Sequence, residues 1–347
     1  MQIIKEGILS KPNGDYIYNA WPSVITLADG SLISAWSGER LGHVCPFGKV
    51  MVSKSFDGGL TWSTPYCALN TPLDDRDAGL TELDGKIYLT SFNNSRQMQI
   101  HRNSLATYPL LHNRLLKRVE EITDEEELKY LGANLSISSD GGRTFEYLGT
   151  MPITAPHGVI KKKDGSLLMI GRRFYDEAAA NFEYLPEGIY AMEISKDGKM
   201  GKPYLIVEPN DEGLLYCEPH AIDLGDKILL GIRAQNDKGV FTIYTALSFD
   251  GGKTFSKPQP TGLEGSPPHF FALDSGEVLL SYARRKEDFP ECVALSVDGG
   301  VTFSEKYKLT LGKNWDIGYP ATTLTREGNF VTVYYQSPDI KYIVWRI

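Results

Sequence analysis

Cysteine, positive charge and long apolar runs are all in short supply in this chain. Its 347 residues hold four cysteines, Cys45, Cys67, Cys217 and Cys292, with neither a CxxC pair nor a metal-ligand spacing. That argues against a disulfide framework or a structural metal, and leaves free, mostly buried thiols of an intracellular protein as the expectation. Lys and Arg number 36 against 44 Asp and Glu, a net charge of −8, which argues against a nucleic-acid partner. No run approaches transmembrane length, and Met1-Gln2-Ile3-Ile4-Lys5-Glu6 lacks the charged-then-apolar order of a secretory leader. A cytoplasmic location without a membrane partner is therefore expected. No linker or low-complexity tract divides the chain, so residues 1–347 read as one domain. What is plentiful is glycine (34), proline (19) and tyrosine (19), set among short apolar runs. This is the composition of an all-β repeat protein.

One motif recurs. Ser-x-Asp-Gly-Gly-x-Thr-aromatic occurs at 55–62, 138–145, 248–255 and 296–303, and a worn copy, Ser195-Lys196-Asp197-Gly198, lies between the second and third. Self-similarity at this spacing marks a repeat architecture. The local chemistry is that of a β-turn: the Asp accepts bonds from amides just downstream, and the glycines supply positive φ. The Asp residues are therefore read as turn formers rather than catalysts.

Each box follows an apolar strand, a turn and a second apolar strand. The first strands begin near Pro22, Ala78, His157, Pro219, His269 and Tyr319, which gives six units. The last unit has three strands, and Gln2–Leu9 is an unassigned strand of the right length. The expected fold is all-β, a six-bladed β-propeller whose ring is closed by the N-terminal strand joining the C-terminal blade, which hides the sheet edges. One segment breaks the pattern. Within the second blade, apolar spacing of three and four over about 103–130, with Thr123 or Asp124 ahead of an acidic turn, predicts one or two short helices, as decoration or as a lid.

In a four-stranded blade, the start of strand one and the end of strand two share a face, opposite the box turns. Strand-one starts supply Arg76, Asp77, His157, Glu218, His220, His269 and Tyr319; strand-two ends supply Arg40, Arg172, Arg173, Arg233, Arg284 and Arg285. So many guanidinium groups at one mouth of an acidic chain point to an anionic sugar, because Arg matches carboxylates bidentately. Some of them would instead pair with Glu39, Asp77, Asp176 or Glu177 as rim salt bridges. The histidines lack metal-like spacing; singly each reads as a packed residue, and together they are possible acids. No cofactor is implied.

The boxes and the six units resemble the sialidase (neuraminidase) superfamily of Asp-box propellers, over essentially the whole chain. The resemblance implies a nucleophilic tyrosine at Gly318-Tyr319-Pro320, its glutamate partner at Cys217-Glu218-Pro219, and a carboxylate-binding arginine at Ile232-Arg233-Ala234. The family's first arginine slot falls on Ala20 of Asn19-Ala20-Trp21-Pro22. Its acid/base aspartate slot falls near Gly48-Lys49, and a third arginine is missing near Asp288-Phe289-Pro290, where Arg284 or Arg285 would stand in. A full arginine triad is absent. A phenol is a poor nucleophile unless a base takes its proton, so Tyr319 and Glu218 form the sharpest pair, with Asp77, His157, His220 or His269 as the acid. Arg233, Arg76, Arg173, Arg284, Arg285 and Arg40 are the expected substrate ligands. Three readings follow: a sialidase-type glycoside hydrolase acting on an acidic sugar or oligosaccharide, a polysaccharide lyase acting on uronates through His, Tyr and Arg, and a non-catalytic glycan-binding propeller.

Overall fold

A computed structural model describes residues 1–103, 109–176, 178–210 and 212–347. Its strands form six antiparallel sheets arranged as the blades of a propeller. Blade 1 comprises Tyr18–Thr26, Leu32–Arg40, Lys49–Ser55 and Tyr66–Leu69, and blade 2 comprises Arg76–Leu83, Lys86–Phe92, Ala133–Ser138 and Glu146–Met151. Blade 3 holds Ile153–Thr154, Ile160–Lys161, Leu167–Arg173, Ile189–Ile194 and Tyr204–Val207; blade 4 holds Leu215–Asp223, Ile228–Gln235, Phe241–Ser248 and Gln259–Glu264. Blade 5 runs through Ser266–Ala272, Val278–Ala283, Glu291–Ser296 and Ser304–Thr310. Blade 6 joins Ile317–Leu324, Phe330–Gln336 and Asp339–Arg346 to the N-terminal strand Gln2–Ser10. The ring closes as expected, with Ile3 opposite Trp345 and Ile8 opposite Lys341. Most of Gln2–Ser10 is exposed, so closure rests on the backbone ladder, which satisfies an otherwise open edge.

The core is not one ball but a series of interfaces between neighbouring blades. Ile33, Val50 and Val52 of blade 1 meet Leu80, Ile87 and Leu89 of blade 2, for example, and each further pair of neighbours has its own cluster. The boxes lock these interfaces. Trp62, Phe145, Phe255 and Phe303 each pack into the cluster shared with the preceding blade. The second box glycine lies just as close: a Cβ on Gly252 (φ +93°) would sit 2.6 Å from Leu168, and one on Gly300 would sit 2.4 Å from Leu229. Glycine is thus required there by backbone conformation and by contact together. The Asp acts as a turn former: Asp250 accepts from the Lys253 amide at 3.0 Å, the Thr254 amide at 2.9 Å and the Thr254 hydroxyl at 2.6 Å.

Two readings need adjustment. Blade 3 does not begin as one strand; Pro156, which lacks an amide donor, and Gly158 at φ +91° split it into two short pieces. The helical segment of blade 2 starts before the expected 103 and holds three helices among the described residues: α1 (Arg96–Asn103), α2 (Pro109–Glu120) and α3 (Asp124–Tyr130). Residues 104–108 of that segment lie outside the described residues, as does Glu177. Thr123 caps α3 through a reciprocal capping box with Glu126. All four cysteines are free; Cys67 is exposed and the others are buried. No helix among the described residues is long and apolar enough to cross a membrane.

Candidate active site

The innermost strands share a defect that builds the mouth. In five blades the pairing of strands one and two skips residues, between Ala20 and Ser23, Arg76 and Gly79, Cys217 and His220, Ser266 and His269, and Gly318 and Ala321. At four of these bulges a non-glycine residue takes a left-handed conformation: Trp21 (φ 55°), Asp77 (52°), Glu218 (47°) and Tyr319 (54°). Each such residue costs about 1–3 kcal/mol and persists only where its surroundings hold it, typically at functional sites. Bulges re-aim side chains, and these four belong to blades 1, 2, 4 and 6 around one axis.

Tyr319 and Glu218 meet. The phenol donates to Glu218 Oε1 at 2.7 Å, and the same oxygen receives the Arg233 guanidinium at 2.5 Å. Arg233 also donates to Cys217 Sγ at 3.1 Å and to Gln235 Oε1 at 3.4 Å, and lies 4.9 Å from the Phe241 ring centre. Burial, with Glu218 and Asp77 nearby, raises the Tyr319 pKa well above that of a free phenol, against the opposing pull of Arg233 and Arg285. The ring is therefore neutral at rest and can lose its proton only to an adjacent base.

Asp77 is the second carboxyl of the mouth. It is buried, its Oδ1 has no hydrogen-bond partner among the described residues, and Arg76 Nε stands 3.8 Å away. Burial lifts its pKa to about 7; Arg76 opposes the rise and Glu218 adds to it. A carboxyl that keeps its proton near neutrality is what a general acid requires. At the family's aspartate slot, a Cβ on Gly48 would fall 2.2 Å from Arg40 Nη1, so a side chain there would require Arg40 to shift.

The arginines separate into two groups. Arg233, Arg76 and Arg285 surround the pair. Arg76 stacks 4.1 Å from the Trp21 ring centre and donates to the His43 carbonyl at 3.1 Å. Arg285 lies 5.9 Å from the Tyr319 ring centre and donates to the Ile317 carbonyl at 3.0 Å, so of the two possible stand-ins it is the one that reaches the site. Arg284 turns away toward Glu305, 3.6 Å distant on the outer strand of its blade. Arg40 has no exposed surface; it binds Asp74 at 2.5 Å, Ser37, and the carbonyls of Asp75, His43 and Gly42. Arg40 is thus part of the scaffold, corrected from the expected substrate ligand because all its donor groups are already taken. Arg173 lines the cavity but shares Glu187 with Arg172, at 3.1 and 2.8 Å. This is the rim pairing anticipated, made with a different carboxylate.

His157, His220 and His269 form a packed triplet, with ring centres 4.5–5.4 Å apart. Their Nδ1 atoms face the Ser23 hydroxyl (3.3 Å), the Phe270 amide (2.9 Å) and the Thr322 amide (3.3 Å) of other blades. Burial lowers all three pKa values, that of His269 to about 3. They are neutral staples between blades, with lowered pKa values and Nδ1 atoms already engaged, which corrects their place among the expected acids. No group of three or more His, Cys, Asp or Glu among the described residues could hold a metal.

Above the pair opens a cavity of about 1010 Å³, lined by Arg76, Asp77, Glu218 and Arg233, and by residues the sequence reading did not single out: Tyr18, His43, Arg102 and Asp316. Tyr18 and Tyr335 both donate to Asp316 Oδ1 at 3.0 Å, beside Trp21. The only signal for Trp21 was its place in the family's Asn19–Pro22 slot, and for Asp316 its place three residues before Tyr319.

Residues 120–332 match the family described as BNR repeat-like domain. Among solved structures, a protein of unknown function from Dyadobacter fermentans is 19% identical, with a TM-score of 0.74 over 100% of this chain and 99% of that one. A Hadza microbial sialidase is 16% identical, with a TM-score of 0.68 over 96% of this chain and 66% of that one. An alpha-L-arabinanase from Penicillium chrysogenum, complexed with arabinobiose, is 14% identical, with a TM-score of 0.68 over 99% and 98%. At such identities the likeness shows the fold alone. No curated protein matches the sequence.

Proposed function

The chain belongs to the BNR repeat-like family, and from that premise we propose that it is a sialidase-type glycoside hydrolase cleaving the bond of a carboxylated sugar. The observation that carries this reading is the triangle in which one oxygen of Glu218 accepts both the Tyr319 phenol and the Arg233 guanidinium. Glu218 takes the phenolic proton as Tyr319 oxygen attacks the anomeric carbon. The bond to the leaving oxygen breaks, and Asp77 supplies that oxygen with a proton. Water then gives a proton to the Asp77 carboxylate and its oxygen to the anomeric carbon; the tyrosyl–carbon bond breaks, and Glu218 returns the proton to Tyr319. A neutral nucleophile avoids repulsion by the substrate carboxylate, and tyrosine replaces the usual carboxylate nucleophile in sialidases. Arg233 and Arg285 supply the positive charge beside it.

The lyase reading is less favoured, since the three histidines are packed together, neutral, and bonded through Nδ1 to other blades. The binding-only reading predicts saturable binding without turnover. A panel of acidic and neutral glycosides, read by mass spectrometry with rapid quenching, tests the proposal. The expected result is turnover of an acidic glycoside and a sugar adduct on the Tyr319 peptide. An unsaturated product, or turnover with no adduct and full activity in Tyr319→Phe, would overturn it.

A further inference from the structure

The arginines that line the cavity are not equivalent. Arg76, Arg172, Arg173 and Arg233 each stand within 4.0 Å of a protein carboxylate, at 3.8, 2.8, 3.1 and 2.5 Å. Arg102, in the last turn of α1, lines the same cavity and has no hydrogen bond or ion pair among the described residues. An anion can reach it without displacing any carboxylate of the protein. The helix that carries it is anchored. The Met98 amide donates to the Ser95 hydroxyl at 3.1 Å, the Ser95 amide donates to Asp176 at 3.0 Å, and Arg96 ties α1 to Glu127 of α3 at 2.7 Å. The helical segment also gives the cavity apolar lining, from Met98, Leu111 and Leu115. The volume of about 1010 Å³ lies at the upper end of small-molecule sites, which span roughly 300–1,000 Å³, so the cavity has room for more than one sugar unit.

We propose that the helical segment forms a second anion subsite, in which Arg102 binds an acidic group on the portion of the substrate beyond the scissile bond. The substrate class is then a glycan with at least two acidic groups, one near Arg233 and Arg285 and one at Arg102, with an apolar face between them against Met98, Leu111 and Leu115. This rests on the acidic-sugar reading of the mouth.

Matched probes separate the two ideas. Calorimetry would compare N-acetylneuraminate with its α2,8-linked dimer, and galacturonate with digalacturonate, for the native protein, Arg102→Ala and Arg233→Ala, each in a Tyr319→Phe background wherever a dimer is cleaved. The expected result is that a dimer binds about tenfold more tightly than its monomer to the native protein, and that this ratio falls to near one in Arg102→Ala. Arg102→Lys should restore part of it, and raised salt should erode it. Monomer binding that depends on Arg233, with no advantage for either dimer or with an advantage that survives Arg102→Ala, overturns the subsite and leaves the reading of the mouth standing. Failure of the native protein to bind any of the four probes removes both. Arg102 is exposed, so unchanged melting of its variants serves as the check on folding.

Discussion

The two faces of the ring use aspartate in opposite ways. On the box face, Asp57, Asp140, Asp250 and Asp298 each accept bonds from amides and a hydroxyl within their own turn. Those bonds favour the charged form, and the pKa of Asp250 falls to about 2. At the mouth, Asp77 is buried with an unpartnered oxygen, and its pKa climbs to about 7. One residue type therefore gives a fixed turn on one side and a movable proton on the other. The difference lies in hydrogen bonding against desolvation, not in the residue.

If that contrast is sound, the largest effects belong to the mouth. Tyr319→Phe and Glu218→Gln should each lower kcat by about 10³-fold or more, and the double variant should be little worse than either single, because the pair acts as a unit. Steady-state kinetics on an acidic glycoside checks this, and additive losses would break the pair apart.

Asp77→Asn comes next, with kcat down about 10²–10⁴-fold and the alkaline limb of the rate profile near pH 7 removed. A native profile flat through pH 7 would argue that Asp77 is not the acid. Stability offers an independent reading. The folded protein favours protonated Asp77 and Asp75, with pKa values near 7, and Glu291, with a pKa near 8. Their contribution is complete below the unfolded carboxyl range of about pH 4 and is lost as pH rises through about 7–8. The box aspartates run the other way: theirs is complete above about pH 4 and is lost as pH falls through their lowered values. Melting curves against pH should show both windows, and Asp77→Asn should flatten only the upper one.

Smaller effects belong to the boxes. Gly252→Ala forces a side chain at φ +93° against Leu168 and should destabilise by about 1–3 kcal/mol, leaving kinetic constants unmoved below the melting range. Asp250→Ala should lower the melting temperature by only a few degrees, since its turn is exposed. A loss of kcat in either variant at a temperature where it remains folded would erase the distinction between the faces.

Much of the scaffold was legible in the chain because it repeats. Six strand pairs, the intact boxes and the spare strand Gln2–Ser10 declare themselves by period, and a periodic signal survives local irregularity. Tyr319, Glu218 and Arg233 were legible through the family resemblance, whose motifs sit at strand starts and ends. Arg40 and Arg285 were not separable in sequence, since both follow an apolar strand; only packing reveals that the first is sealed against Asp74 while the second faces Tyr319. The histidines looked like acids because strand starts face the mouth, whereas the bulges bring Asp77 and Glu218 to the cavity and Tyr319 against Glu218, and leave His220 and His269 stacked 4.5 Å apart. Helix α1, with its polar sequence and weak apolar period, gave no warning that it would bring Arg102 to the cavity wall.

The sequence by itself determined the repeat, the turn chemistry and the closure of the ring, because each depends on residues close in the chain or on a pattern copied along it. Only the tertiary structure decided which carboxyl keeps its proton and which guanidinium has no partner among the described residues. Those outcomes depend on desolvation and on groups far apart in the chain, as with Asp77 and Glu218 or, 101 residues apart, Tyr319 and Glu218, and the ring brings them together only when it closes.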